Sequence, residues 1–269
     1  MIKKAKTDTY KFSVFRPGGN DTALVEPFVD GKILRRKVND AIMVSYPNIE
    51  QVGFVDKANR RLEMAGGEFC GNATRSAAFY FLDGRPGIIN IKISGINKGI
   101  VAGIDPKNNV WTEIPIYSDI KRVRKVDNLT IVELKGITQV VVSGKGLSFV
   151  EKTIKDRAFD ILKSLNLIRT CKAAGVMFTS EKNGRVAIDP VVWVRDIQTL
   201  FYETACASGT AAVGMVEALK RNKNINNMSI TQPSGSEIKV SVLVDKNRFK
   251  KVKISGKIQV LKTDIALNI

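Results

Sequence analysis

Two widely separated stretches of this 269-residue chain repeat one pattern. Glu68-Phe69-Cys70-Gly71-Asn72-Ala73-Thr74-Arg75-Ser76-Ala77-Ala78 and Glu203-Thr204-Ala205-Cys206-Ala207-Ser208-Gly209-Thr210-Ala211-Ala212-Val213 each place a Glu shortly before a Cys. Small and polar residues follow, then an Ala-rich, helix-like run. A unit used twice predicts a duplicated architecture of two similar halves. The boundary is expected near Ser118, with residues 1–117 carrying Cys70 and residues 118–269 carrying Cys206.

The rest of the chain reads as α+β, with many strands and few helices. Val52 to Val55, Ile88 to Ile93, Thr130 to Leu134, Gln139 to Val142, Val191 to Val194 and Ile238 to Val244 are β-branched or alternating runs. Turn signals separate them at Pro17-Gly18-Gly19-Asn20, Asp83-Gly84-Arg85-Pro86, Asp105-Pro106 and Lys182-Asn183-Gly184. Three helices are expected: one after Cys70, one over about Lys152 to Leu167 and one after Cys206.

Composition narrows the chemistry. The chain has no histidine, which excludes Ser-His-Asp triads, Cys-His dyads and His-based metal sites. Proton transfer near neutral pH then falls to Cys, Asp, Glu, Lys or Tyr. The three cysteines, Cys70, Cys171 and Cys206, include no Cys-x-x-Cys pair and are too few for a disulfide scaffold. Cys171 lacks the context of the other two and reads as structural. The net charge is +17. Its lysines are scattered, and the small clusters at Lys121 to Lys125 and Lys250 to Lys253 are not interleaved with stacking aromatics, so no nucleic-acid partner is expected. Apolar runs such as Ser76 to Leu82 are too short to span a bilayer. No apolar segment follows Met1-Ile2-Lys3-Lys4, so a cytoplasmic location is expected.

Each cysteine stands where a helix begins. The first N–H groups of a helix lack internal partners, and its N-terminal end carries partial positive charge. Such an end binds a carboxylate and is expected to lower a thiol's pKa. Set face to face, the two helix starts would grip an amino acid's α-carboxylate through the backbone N–H groups of Gly71, Asn72, Ala207, Ser208 and Gly209. One sulfur would lie on each side of the α-carbon. One thiolate removes the α-proton, the opposite thiol returns a proton to the other face, and the centre inverts without a cofactor.

The same residues carry a family resemblance. Phe69-Cys70-Gly71-Asn72-Ala73-Thr74-Arg75 resembles the first cysteine motif of the diaminopimelate epimerase family, and Glu203-Thr204-Ala205-Cys206-Ala207-Ser208-Gly209-Thr210 resembles the second. The histidine racemase branch, which serves metallophore biosynthesis, is a closer likeness. It extends through Pro17-Gly18-Gly19-Asn20-Asp21-Thr22, Glu50-Gln51-Val52-Gly53-Phe54, Asp196-Ile197-Gln198-Thr199-Leu200 and Gln232-Pro233-Ser234-Gly235-Ser236. Several features depart from diaminopimelate epimerases: the absence of His, Leu62-Glu63-Met64-Ala65-Gly66 before the first cysteine, and Gln198-Thr199-Leu200-Phe201-Tyr202 before the second. Ala207 also stands in place of the usual Gly.

The resemblance implies two halves, each a sheet wrapped around a central helix capped by its cysteine, with the site in the cleft between them. It implies a last strand returning to the first half, and a homodimer. It assigns substrate contacts to Asn20 and Gln51. Glu50 and Glu203 bind the α-amino group or a basic side chain, or else Glu50 is a surface residue and Glu203 sets the loop before Cys206. Glu63 is a weaker candidate, and Arg75 reads as structural. The expected function is a cofactor-independent amino-acid racemase, with histidine foremost and other amino acids, diaminopimelate included, as alternatives. A phenazine-biosynthesis-type isomerase and a basic nucleic-acid-binding protein are the further alternatives.

Overall fold

Burial with a period of two builds the sheets. In the strand Gly87–Ile93, Ile89, Ile91 and Ile93 are buried while Ile88, Asn90 and Lys92 face solvent. The computed structural model describes residues 9–144, 151–182 and 184–268. Met1-Ile2-Lys3-Lys4 and Asn183 of the Lys182-Asn183-Gly184 turn lie outside the described residues.

The strands, in chain order, are β1 (Thr9–Pro17), β2 (Asp21–Glu26), β3 (Ile49–Asp56), β4 (Arg61–Met64), β5 (Gly87–Ile93), β6 (Ile100–Ile104), β7 (Val110–Glu113), β8 (Val123–Val126), β9 (Leu129–Leu134), β10 (Ile137–Ser143), β11 (Ala173–Lys182), β12 (Arg185–Val194), β13 (Thr199–Tyr202), β14 (Ile225–Thr231), β15 (Glu237–Asp245), β16 (Arg248–Gly256) and β17 (Ile258–Asn268). The helices are α1 (Lys32–Ser45), α2 (Gly71–Phe81), α3 (Glu151–Ser164), α4 (Leu167–Thr170) and α5 (Ala207–Lys220).

The pairing rules repeat. β1 and β2 are antiparallel, β2 and β3 parallel across α1, β3 and β4 antiparallel, β4 and β5 parallel across α2, and β5, β6 and β7 antiparallel. In the same way β9 and β10 are antiparallel, β10 and β11 parallel across α3 and α4, β11 and β12 antiparallel, β12 and β14 parallel across α5, and β14, β15 and β16 antiparallel. β13 is the addition, paired to β12. β17, leaving β16, lies antiparallel on β1. β8, leaving β7, lies antiparallel on β9. The seam is closed by β7 against β16, with Glu113 opposite Lys253.

Each sheet wraps a central helix, α2 in one half and α5 in the other. A helix surrounded on all sides must be apolar and slim, which is why Ala73, Ala77, Ala78, Ala211 and Ala212 are inaccessible to solvent. Arg75 is the exception. It is fully buried on α2, and its guanidinium donates to the carbonyls of Val110 (3.0 Å) and Lys257 (3.2 Å), fastening β7 and the approach to β17.

The helix α1 is absent from the sequence expectation. Gly31 offers no capping side chain, its first turn holds no acidic residue, and it buries only Val38, Asn39 and Ile42. The predicted Lys152 to Leu167 helix is broken where Asn166 adopts a left-handed conformation (φ 56°), and the chain resumes in α4.

Candidate active site

Cys70 and Cys206 occupy matching positions. Each is the N-cap of its central helix, with φ and ψ of −128° and 116° for Cys70 and −127° and 111° for Cys206. Each sulfur accepts a helix N–H, from Ala73 at 3.3 Å and from Gly209 at 3.4 Å. Each carbonyl accepts a threonine hydroxyl one turn on, Thr74 at 2.6 Å and Thr210 at 2.7 Å. The repeated sequence thus folds into a repeated cap.

The helix starts meet closely. A Cβ on Gly71 would stand 2.8 Å from the Ala207 Cβ, so residue 71 must lack a side chain where Ala207 carries one. Both cysteines line one cavity with about 50 Å³ of room for water, together with Glu50, Gln51, Glu68, Asn72 and Glu203.

The residues leading into Cys206 are held one by one. Gln51 donates to Glu203 at 3.1 Å. Glu50 accepts the Thr204 N–H at 3.1 Å and the Thr204 hydroxyl. Asn72 donates to the Ala205 carbonyl at 2.9 Å. Gln232 accepts the Cys206 N–H at 2.9 Å. Three of these four holders come from the other half. Cys70 is tied into the same network, its thiol donating to Gln51 Oε1 at 2.9 Å.

The expected site residues therefore divide. Cys70, Cys206, Glu50, Gln51, Gly71, Asn72, Glu203, Ala207 and Ser208 line the cavity. Asn20 is fully buried behind Glu50, donating to it at 2.7 Å. The Gly209 N–H is directed at Cys206 Sγ. Glu63 pairs with Arg61 at 2.9 Å, and Cys171 accompanies Thr138 at 3.5 Å. Sequence reasoning gave no role to Thr204, Gln139, Gln232 or Glu68. Gln139 donates to the Ser208 hydroxyl at 2.9 Å, and only the Glu that opens each repeat signalled Glu68.

The electrostatics correct one expectation. Burial pushes both thiols well above their ordinary value, and the carboxylate of Glu203 adds to this. The helix N–H groups act in the opposite direction, as expected, but desolvation outweighs them. Burial likewise raises Glu203 to about 8, with Glu50 and Glu68 contributing and with hydrogen bonds from Cys206 and Gln51 opposing it. Burial raises Glu50 despite its bonds to Thr204 and Asn20. The cavity thus brings together three carboxyls and two thiols that burial shifts toward their protonated forms. Among the described residues no His, Cys, Asp or Glu side chains are grouped to hold a metal ion, and no helix is long and apolar enough to cross a membrane.

Comparison with known proteins gives one consistent result. The family model described as the histidine racemase CntK N-terminal domain matches residues 9–266. A histidine racemase of Fusobacterium nucleatum subsp. nucleatum is 29% identical over 245 residues, covering 86% of this chain and 88% of that protein. A histidine racemase of Staphylococcus aureus is 25% identical over 237 residues, covering 84% and 86%. Among solved structures, a hydroxyproline epimerase from Agrobacterium vitis with bound trans-4-hydroxy-L-proline superposes with a TM-score of 0.64 at 11% identity, covering 99% of this chain and 92% of that one.

Proposed function

The chain belongs to the histidine racemase CntK N-terminal domain family, and from that premise we propose that it inverts the α-carbon of histidine with Cys70 and Cys206 as opposed acid and base. The observation that carries the mechanism is the pair of matching N-caps, two sulfurs held by the same helix-start geometry on one cavity. The α-carboxylate lies against the N–H groups of Gly71, Asn72, Ala207 and Ser208, while the Gly209 N–H steadies the Cys206 sulfur. There the helix ends stabilise charge that grows as the α-proton leaves. A bound α-ammonium beside Glu203 lowers the cost of forming a thiolate in a site where burial otherwise keeps both thiols neutral. Asn20 and Glu50 position the Thr204 loop. Neither sulfur needs a cofactor, because one removes the proton that the other replaces on the opposite face.

A homodimer, a cytoplasmic setting and a D-amino acid product destined for metallophore assembly belong to the same reading. Solvent exchange tests it. In deuterated water the protein is expected to incorporate deuterium at the α-carbon of L-histidine with inversion, and Cys70→Ala and Cys206→Ala each to abolish inversion. A wild-type protein that exchanges no amino acid's α-proton would sink the reading.

A further inference from the structure

Three buried polar atoms on the cavity wall have no hydrogen-bond partner among the described residues: Glu68 Oε2, Asn72 Oδ1 and Thr199 Oγ1. Buried polar atoms are rarely left so, and a group of them along one cavity marks where a ligand bonds. Asn72 opens α2 directly after Cys70 and donates to the Ala205 carbonyl just before Cys206. Its free oxygen belongs to the end of the cavity that holds the α-carbon.

Glu68 and Thr199 converge at another end. A Cβ on Gly66 would stand 2.5 Å from Glu68 Oε2 and 2.7 Å from Val194 Cγ1. Val194 is in turn the register partner of Thr199. Glycine at 66 is what leaves room for the carboxyl between the two halves. The other carboxylates of the cavity are already engaged. Glu50 accepts from Asn20 and Thr204, and Glu203 accepts from Gln51. Asp196, the acid whose charge acts on Glu68, is neutralised by Lys32 at 2.6 Å and Arg195 at 3.3 Å. Glu68 takes backbone N–H groups of its own loop, Gly66 and Glu68 itself, but its Oε2 is left without a partner and no cation is paired to it among the described residues.

The geometry points to Glu68 and Thr199 as the pair that reads the substrate's side chain, with Glu68 Oε2 accepting an N–H from a nitrogen-bearing group and Thr199 Oγ1 meeting a second nitrogen. The inference rests on the racemase reading above and adds to it the residues that set the substrate class. Imidazole, which offers two nitrogens on a short rigid ring, suits two unpartnered polar atoms on one cavity. A hydrocarbon side chain there would leave Glu68 and Thr199 buried and unpaired, and sites built this way reject analogues that lack the polar group. Burial also holds Glu68 near about 7, so a side chain that arrives protonated supplies the charge that ionises it.

The experiment runs wild type, Glu68→Gln and Thr199→Val against histidine, lysine, arginine, ornithine, methionine and alanine, reading α-deuterium uptake. Wild type is expected to be fastest on a nitrogen-bearing substrate. For that substrate Glu68→Gln raises KM about tenfold or more and Thr199→Val about threefold or more, with kcat changed by less than about threefold. The inhibition constant of alanine, which has no such side chain, moves by less than about twofold. Both substitutions are close in size to the original residues, and unchanged thermal unfolding midpoints confirm that the variants fold. A wild type fastest on methionine or alanine overturns the inference and with it the choice of histidine, and leaves the two-cysteine racemase reading standing. An alanine inhibition constant that rises together with KM also overturns the inference, since Glu68 would then serve the α-ammonium. So does an unchanged KM in both variants. Absence of exchange with every amino acid overturns the reading beneath it instead.

Discussion

Gln51 reaches from one half to the other to donate its amide N–H to Glu203 at 3.1 Å, while its carbonyl accepts the Cys70 thiol at 2.9 Å. With Glu203 hydrogen-bonded to Cys206, the two thiols are joined through an amide and a carboxyl. Removing the amide separates them. Gln51→Leu leaves the Cys70 thiol and one oxygen of Glu203 without their partner, and kcat for racemisation is expected to fall about tenfold to a hundredfold with KM changed less. Steady-state kinetics on both enantiomers check this, and a Gln51→Leu enzyme with wild-type kcat would remove Gln51 from the reaction.

The contact between the helix starts gives a second prediction. Gly71→Ala puts a methyl 2.8 Å from the Ala207 Cβ and forces the cysteine-bearing caps apart, at a cost of about 1–3 kcal/mol for overpacking. Activity is expected to drop more than stability, because the carboxylate cradle straddles that contact. Ala207→Gly in the same chain should restore much of both. A double variant no better than the single one would show that the strain is relieved elsewhere.

The absence of histidine makes pH a clean probe. Between about pH 5.5 and 7 few ordinary side chains titrate in such a chain, so a stability change there reports on displaced groups. Glu203 and Glu68 are held at about 8 and about 7 in the folded state, above the usual carboxylate range. The folded protein therefore keeps protons that the unfolded chain has lost. Their contribution is complete at acid pH, below the unfolded carboxyl value, and is lost as pH rises through 7 and 8. Denaturant unfolding is expected to show stability falling from pH 5.5 to 8, with Glu203→Gln flattening the slope by about 1–3 kcal/mol over that range. A slope unaltered by Glu203→Gln would show that its carboxyl is not displaced in the folded protein.

Arg75 is a structural anchor and should behave as one. Arg75→Met keeps the length of the side chain but leaves the carbonyls of Val110 and Lys257 without their donor. The expected loss is about 1–3 kcal/mol of stability, with kcat nearly unchanged in the fraction that folds. A large fall in kcat at full stability would instead place Arg75 in the reaction.

The duplicated cysteine segments made both the architecture and the matching helix caps legible in the sequence. A Cys followed by small residues and an Ala-rich run is a cap followed by a helix narrow enough to be enclosed. Alternation in Gly87–Ile93 and Glu237–Asp245 exposed those strands in the same way. The helix α1 was not legible, because nothing local starts it and only packing against β3 and its neighbours holds it. The Thr204 loop was hidden for a different reason. Its holders Gln51, Glu50, Asn72 and Gln232 are far from it in the chain, and ordinary polar residues reveal such a role only once folding brings them together. The thiols' raised pKa was likewise invisible, since a helix start can be read locally but the desolvation opposing it depends on how deeply the fold buries the sulfurs.

The return of the last strand to the first half bears on how the halves can move. β17 completes the first half after the chain has finished the second, whereas β8 and β9 form a hairpin inside the second half. The halves are joined by the returning β17 and stitched along the β7–β16 seam, so they cannot swing apart like the covers of a book without tearing that seam. A movement that keeps the seam intact is torsion along it, with the cysteine-capped helices held in register. On the two-cysteine reading proposed above, such a joint would let the sulfurs meet each new substrate at the same separation, as proton transfer from one side and return from the other requires at every turnover.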